Sequence, residues 1–349
     1  MYAAVTSKDY HDNDSSKNFN LTEFSHGHLT VLDGWRAISI CCVLIGHLLP
    51  LGPGKFSLNE TTATTGMAIF FTLSGFLITK TLLDNPNIYT FAIRRILRIV
   101  PLAWAAMIIL LIANGSSLNT WVSNLLFYSN NINTLISNGG GHLWSLCVEM
   151  QIYLFLAAIL GIVPRIGIVL IPIACTIVTL LRIKYHVYID MVTWYRCDEI
   201  LSGSIIAMIY TRRYGEIPQR LLAWLHPSWI FPLLFICAHP SAGFFQYARP
   251  YFAALAVGAT LYNSPIIFIK LSRNQLTKYL AKTSYALYIV HGVLTATWLN
   301  TGTTFIKYSK RPLLFISIFV ISHLSTYKFE SYFINYAKRI TSNKKKQLL

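Results

Sequence analysis

The chain has 349 residues, 54% hydrophobic and only 12% charged, with 20 Tyr, 20 Phe and 8 Trp and a mean hydropathy of +0.50. Soluble domains are about 25% charged, so the composition excludes a soluble globular protein and indicates a polytopic membrane protein. The net charge of +16 is accounted for by cytoplasmic loops, which collect Lys and Arg, and nucleic-acid binding is rejected.

Residues 1–31 read as a polar cytoplasmic tail without the apolar core of a cleavable signal peptide. His11, His26 and His28 in that tail have the chemistry to touch a metal, but a solvated tail is the plainer reading, and no metal is expected. Asn20-Leu21-Thr22 and Asn59-Glu60-Thr61 fit the glycosylation pattern, which matters only in a eukaryotic secretory route. Hydropathy predicts ten spans: 32–50, 66–83, 96–113, 143–163, 166–181, 195–211, 228–238, 250–269, 279–299 and 312–327. Residues 118–132 are apolar on one side only and read as an interfacial or re-entrant helix. With both termini cytoplasmic, the inner loops and C-terminal tail hold 18 basic residues against 8 outside, as the positive-inside rule requires. The expected architecture is therefore an all-α integral membrane domain over 32–329, about ten helices around a central polar cavity. Residues 330–349 are expected as a basic, solvated cytoplasmic tail lying against anionic lipid. The six cysteines lie in or beside apolar segments with no C-x-x-C pair and read as packing residues.

The first span, LDGWRAISICCVLIGHL, is long enough to enter a bilayer yet carries Asp33, Arg36 and His47. Arg36 and His47 are eleven residues apart, about three turns, so they share a face and lie roughly 16 Å apart along the axis. Ionisable groups inside a span are costly unless they face a polar cavity, which makes them a functional-site hypothesis by default. The alternative is an interfacial Asp/Arg anchor plus one satisfied interhelical His. In the second span, FFTLSGFLIT places Ser74-Gly75 in an apolar run, where Gly permits close approach of a helix or a ligand. Before the third span, Arg94, Arg95 and Arg98 cluster in FAIRRILRIVPLAW. Guanidinium forks match phosphate oxygens, although the same cluster also serves as a topology signal.

HLWSLCVEMQIYL opens the fourth span, with Trp144 at its start and Ser145, Glu149 and Tyr153 on one stripe. Glu149 needs a partner, and Arg36 is a candidate. WYRCDEILSG places Arg196, Asp198 and Glu199 at the start of the sixth span, where interface charges are the favoured reading. In the ninth span Ser284, Tyr288 and His291 again share a face. Polar stripes on spans one, four and nine suggest one shared cavity, with Ser74 and Trp144 at its wall.

The segments LDGWRAISICCVLIGH, FFTLSGFLIT, RRILRIVPLAW, LWSLCVEMQIYL, RCDEILSG and TSYALYIVH, in this order over residues 32 to 291, resemble the membrane-bound acyltransferase-3 family. That family includes bacterial O-acetyltransferases of surface polysaccharides and some antibiotic acyltransferases. The resemblance implies that Arg36 and His47 are its functional signature, that its Arg pair falls on Arg95 and Arg98, and that its span-four Glu is Glu149. The chain departs from the family at Met150, often a second Glu, and at Ile152, usually aromatic. An extracytoplasmic esterase-like domain, present in some members, is not expected.

The resemblance further implies acyl transfer, most often acetyl, from cytoplasmic acyl-CoA to a hydroxyl of a glycan or lipid-linked saccharide in a bacterial inner membrane. An imidazole near neutral pKa suits proton removal from the attacking alcohol, so His47 is the expected base. Glu149 or Asp33 would orient it, Arg36, Arg95 and Arg98 would contact CoA phosphates, and His291 is secondary. A route through acyl-His47 stays open. Acylation of an antibiotic hydroxyl is the alternative acceptor chemistry. A proton-coupled transporter using Asp33, Arg36, Glu149 and His47 is the alternative class; it predicts internal repeats with paired broken helices, which the sequence does not display. A non-catalytic subunit would leave the two histidines without a role.

Overall fold

The computed structural model describes residues 29–347, with side chains through residue 342. His11, His26, His28 and Asn20 lie outside the described residues. Among the described residues the chain is helical throughout, without strands. The helices are α1 (Thr30–Leu48), α2 (Leu58–Asp84), α3 (Ile88–Ala113), α4 (Leu118–Leu125), α5 (Trp144–Ile162), α6 (Pro164–Lys184), α7 (Thr193–Arg196) and α8 (Asp198–Tyr210). They continue with α9 (Ile217–Trp224), α10 (Pro227–Cys237), α11 (Arg249–Tyr262), α12 (Ile266–Arg273), α13 (Gln275–Thr295), α14 (Thr304–Ser309), α15 (Arg311–Leu324) and α16 (Ser331–Gln347).

Six of these runs are long and apolar enough to cross a bilayer, or up to eight if each of two bent pairs is one span. The expected spans 195–211 and 279–299 fall outside that group. The first is broken at Cys197, and α8 has only 13 residues, about 20 Å at 1.5 Å per residue, against a hydrocarbon core of about 30 Å. The second, α13, has 21 residues, but its Lys, Ser, Thr and His side chains lower its hydropathy. The expected 250–269 span is cut at Pro265, which cannot continue a helix, so α12 leaves the axis of α11 at 89°. A second bend, of 86°, separates α9 from α10. Paired broken helices therefore exist, contrary to the reading of the sequence. They pack through Leu222, Ile230 and Val257 into an apolar cluster, and His226 at one break is exposed.

The segment 118–132 forms only the eight-residue α4, too short to cross. At the other end, the chain does not leave the bundle near residue 329. A π-helical turn, Ser325–Glu330, joins α15 to α16, and α16 packs along α3, with Ala337 buried. The solvated-tail reading is thus replaced, through residue 342, by a docked helix.

The core is built on α1, α2, α8 and α13. Gly75 of α2 and Gly203 of α8 meet where the helices cross: an added Cβ would lie 1.8 Å from the Ile200 carbonyl oxygen or 2.0 Å from that of Thr72. Only glycine permits that approach. The six cysteines are all free. Asn59 does not present a free amide: it donates to the carbonyls of Gly46 (2.8 Å) and Leu49 (2.5 Å) and accepts from Leu51 N–H (3.1 Å), which fixes the α1–α2 turn.

Candidate active site

Five helices bring most of the singled-out residues around one narrow cavity of about 80 Å³. α1 contributes Arg36, α2 Ser74, α3 Arg95 and Arg98, α5 Glu149 and Tyr153, and α13 Ser284 and Tyr288. These residues reach one place because α1, α3 and α13 run parallel while α2 and α5 run antiparallel to them, so stripes read along each helix converge at one depth.

Glu149 is buried and does not pair with Arg36. Its Oε1 accepts from the Tyr153 hydroxyl at 2.5 Å and from the Ser74 hydroxyl, while Arg36 approaches Asp33 at 3.5 Å. Two hydroxyl donors on one oxygen meet the need of a buried carboxyl for hydrogen bonds without a guanidinium partner. Neither Arg95 nor Arg98 makes an ion pair among the described residues. Ser74 and Gly75, neighbours in sequence, divide the two readings of their motif: Gly75 packs against a helix and Ser74 faces the cavity.

At the Asp33 end the cavity adjoins wider recesses that share its arginines. One, about 690 Å³, is bordered by Asp33, Arg36, Arg98, Lys278, Lys282 and Lys338 among others; another, about 370 Å³, by Arg94, Arg95, Arg98 and Lys338. Arg94, however, donates through Nε (3.1 Å) and Nη2 (3.0 Å) to the Thr341 hydroxyl of α16. It anchors a helix, unlike its neighbours.

His47 does not border this cavity. It is exposed in a separate hollow of about 300 Å³ with His142, His291 and Asn300, one turn beyond Val43, which does line the cavity. His47 Nδ1 lies 3.1 Å from His291 Nε2, and His291 Nδ1 lies 3.2 Å from the Leu287 carbonyl oxygen. A carbonyl only accepts, so His291 Nδ1 carries a hydrogen and its Nε2 accepts from His47 Nδ1–H. That tautomer leaves His47 Nε2 as the free basic nitrogen facing the hollow. His291 Nε2 therefore holds the His47 ring by this hydrogen bond. Among the described residues, no group of three His, Cys, Asp or Glu side chains has the arrangement to hold a metal.

Tyr288 lines the cavity and contacts His291 of the hollow. Its ring stacks on Phe70, 5.8 Å between centroids, and lies 5.6 Å from that of His291. Its hydroxyl donates to the His142 carbonyl (2.5 Å) and accepts from Ser145 (2.7 Å). Ser145 thus supports Tyr288 and does not border the cavity, and Trp144 packs on Phe71 with Arg196 over its ring at 5.4 Å. His142 was not singled out from the sequence because it precedes the helical stripe in a glycine run. Its ring lies so close to Gly292 that an added Cβ there would come within 1.9 Å, and the His-Gly pair at 291–292 was the available signal.

Arg196, Asp198 and Glu199 are not interface charges. All are buried, and with Arg182 and Arg249 they form a network away from the cavity. Arg249 Nε meets Glu199 at 2.7 Å, Arg196 reaches its other oxygen at 3.5 Å, and Arg182 binds Asp198. Arg182 and Arg249 were missed because sequence reading places them in external loops.

A family profile described as an acyltransferase domain matches residues 29–327. The chain belongs to that acyltransferase family. It is 27% identical to nodulation protein 10 of Rhizobium leguminosarum over 58% of this chain and 65% of that one. It is 29% identical to the peptidoglycan O-acetyltransferase OatA of Listeria monocytogenes over 40% of this chain and 25% of that one. A putative O-acetyltransferase of Staphylococcus aureus is 24% identical over 74% of this chain and 49% of its own length. The chain thus spans from a quarter to about two-thirds of these relatives. No solved structure matches it.

Proposed function

We propose that the protein is a membrane O-acyltransferase that moves an acyl group, acetyl in this reading, from cytoplasmic acyl-CoA to a hydroxyl of a glycan. Membership of the acyltransferase family supports the reaction class, and relatives named as O-acetyltransferases, one of them for peptidoglycan, support the acceptor class. The observation that carries the reading is the division of labour along α1. Arg36 stands among unpaired Arg95 and Arg98 at one end of a narrow cavity, and His47, oriented by His291, stands in an accessible hollow at the other. The interval of roughly 16 Å between them is comparable with the reach of a pantetheine arm.

In this reading Arg36, Arg95 and Arg98 hold donor phosphates at the cytoplasmic end, and the acyl thioester lies along α1 past Glu149 and Tyr153. Movement of the Tyr288 and Phe70 pair joins cavity and hollow. His47 Nε2 takes the proton of the acceptor hydroxyl as its oxygen attacks the thioester carbonyl. The carbon–sulfur bond breaks, and the proton passes to the departing thiolate, giving ester and free CoA. Ten spans with both termini cytoplasmic, around this cavity in a bacterial inner membrane, complete the proposal. The bounds are those of an acyltransferase domain over 32–329 between two terminal segments. Reporters fused within 212–220 should then read cytoplasmic and one within 184–190 external; a reversed pair would overturn the topology.

The deciding experiment feeds labelled acetyl to cells and follows its transfer to glycan. His47→Ala should lower transfer by about 10²- to 10⁴-fold, the usual cost of a lost general base, in a protein that still inserts and binds acetyl-CoA. Near-normal transfer by well-expressed His47→Ala would refute the assignment, and loss confined to His291→Ala would move the base to α13.

A further inference from the structure

The widest recess at the Asp33 end holds more positive charge than a thioester and a pyrophosphate require. Arg36, Arg98, Lys278, Lys282 and Lys338 border it, against Asp33 and Glu330. Both carboxylates are already engaged: Asp33 lies 3.5 Å from Arg36, and Glu330 accepts from Thr326 (3.1 Å) and Ser325 (3.4 Å). The three lysines are exposed and make no ion pair among the described residues. Lys278 and Lys282 are one turn apart on α13. Lys278 lies six residues, about 9 Å, before Ser284 at the cavity wall, and both lysines border the recess without lining the narrow cavity itself.

Lys338 faces them from α16, which begins after the segment that matches the family. Its position is built rather than incidental. Arg94 clamps Thr341, Ala337 is buried against α3, and the π-helical turn Ser325–Glu330 brings Thr326, Tyr327 and Glu330 into the same recess. Such π insertions recur at functional sites because they re-aim side chains.

We propose that α16 is the outer wall of the donor site and that Lys338, with Lys278 and Lys282, binds the 3′-phosphate of the donor nucleotide. The proposal rests on the reading that acyl-CoA is the donor. The chemistry follows from the order of groups along that molecule: with the pantetheine arm directed into the narrow cavity and the pyrophosphate at the arginine mouth, the ribose phosphate is left for the lysines of the adjoining recess. Ammonium groups suit this outer position, where a flexible point charge can follow a mobile terminal phosphate. An anionic lipid headgroup offers the same phosphate chemistry, and the test separates the two.

Equilibrium binding of acetyl-CoA and of acetyl-3′-dephospho-CoA is measured on the full chain in nanodiscs of neutral lipid, with Lys338→Gln and the double variant Lys278→Gln/Lys282→Gln. Wild type should prefer acetyl-CoA roughly tenfold, the scale of one charge-assisted phosphate contact. Each variant should lose most of that preference, with dephospho-donor affinity held within about twofold. Wild type binding both donors equally, variants weakening both equally, or variants that keep the wild-type preference, as a lipid-headgroup role demands where no anionic lipid is present, would overturn the lysine subsite while leaving the donor reading standing. Wild type that binds neither donor would overturn the donor reading, and the subsite with it.

Discussion

Two sets of three arginines sit in one bundle and do opposite things. Arg182, Arg196 and Arg249 are buried with Asp198 and Glu199, and the cluster borders none of the cavities around Arg36 and Glu149. Arg36, Arg95 and Arg98 border open space, and the nearest buried carboxyl, Glu149, is occupied by two hydroxyls. A guanidinium committed to a fixed carboxylate inside the bundle holds helices together, even where, as at Arg196 Nε and Nη1 and Arg249 Nη1, some donors stay without a hydrogen bond. One left with open donors at a cavity mouth is available to an anion from outside. Family, span and residue type do not separate the two sets; counter-charge and access do.

The comparison breaks most visibly at Glu199. Removing one partner of a buried ion cluster costs about 3–5 kcal/mol, because it leaves charge uncompensated in a poorly solvating interior. Glu199→Ala should therefore collapse folded yield and lower the unfolding temperature of the detergent-purified protein by many degrees. A stable Glu199→Ala protein with weakened donor binding would place the buried cluster in the donor site instead.

The open set should respond in the complementary way. Arg98→Ala is expected to weaken acetyl-CoA binding by roughly 10- to 150-fold, as a lost charge-assisted contact worth about 1.5–3 kcal/mol implies, with thermal stability unchanged. Arg95→Ala should behave alike. Unchanged donor affinity in both would reduce these residues to a signal for membrane orientation.

What could be read from the sequence followed the helix period. Arg36 and His47 on α1, the Ser145-Glu149-Tyr153 stripe and the Ser284-Tyr288-His291 stripe are local geometry, and a repeat of 3.6 residues reveals them. What failed depended on which helices touch. Glu149 finds Ser74 rather than Arg36. Arg182 and Arg249 reach carboxylates 16 and 50 residues away. His142 joins the histidines through a glycine contact that no stripe encodes. The span count separates from the helices for a different reason: α8 is apolar but has only 13 residues after the break at Cys197, while the Lys, Ser, Thr and His side chains of α13 lower its hydropathy. The bend at Pro265 was visible as a residue, but an apolar run through it outweighed it.

Arg94 supplies the smallest effect and the sharpest test of the rule. In sequence it is indistinguishable from Arg95 and Arg98, and it stands one turn from Arg98 on the same face, the spacing expected of a phosphate clamp. In the structure both its Nε and Nη2 donate to the Thr341 hydroxyl, so by the criterion of a fixed partner it belongs with the structural arginines, although it is exposed. Its two bonds converge on one acceptor at the surface, where the net value of such a contact is about 1 kcal/mol, roughly a fivefold change in the docking equilibrium of α16. Continuity through the π-helical turn and the burial of Ala337 keep most molecules docked without it. Arg94→Gln should therefore raise the acetyl-CoA dissociation constant by no more than about threefold, far less than Arg98→Ala. Thr341→Val should reproduce the effect, and the double variant should add nothing further, because both changes remove one interaction. A loss in Arg94→Gln as large as in Arg98→Ala, additive with Thr341→Val, would mean that Arg94 contacts the donor and that access, rather than a fixed partner, decides which arginines bind it.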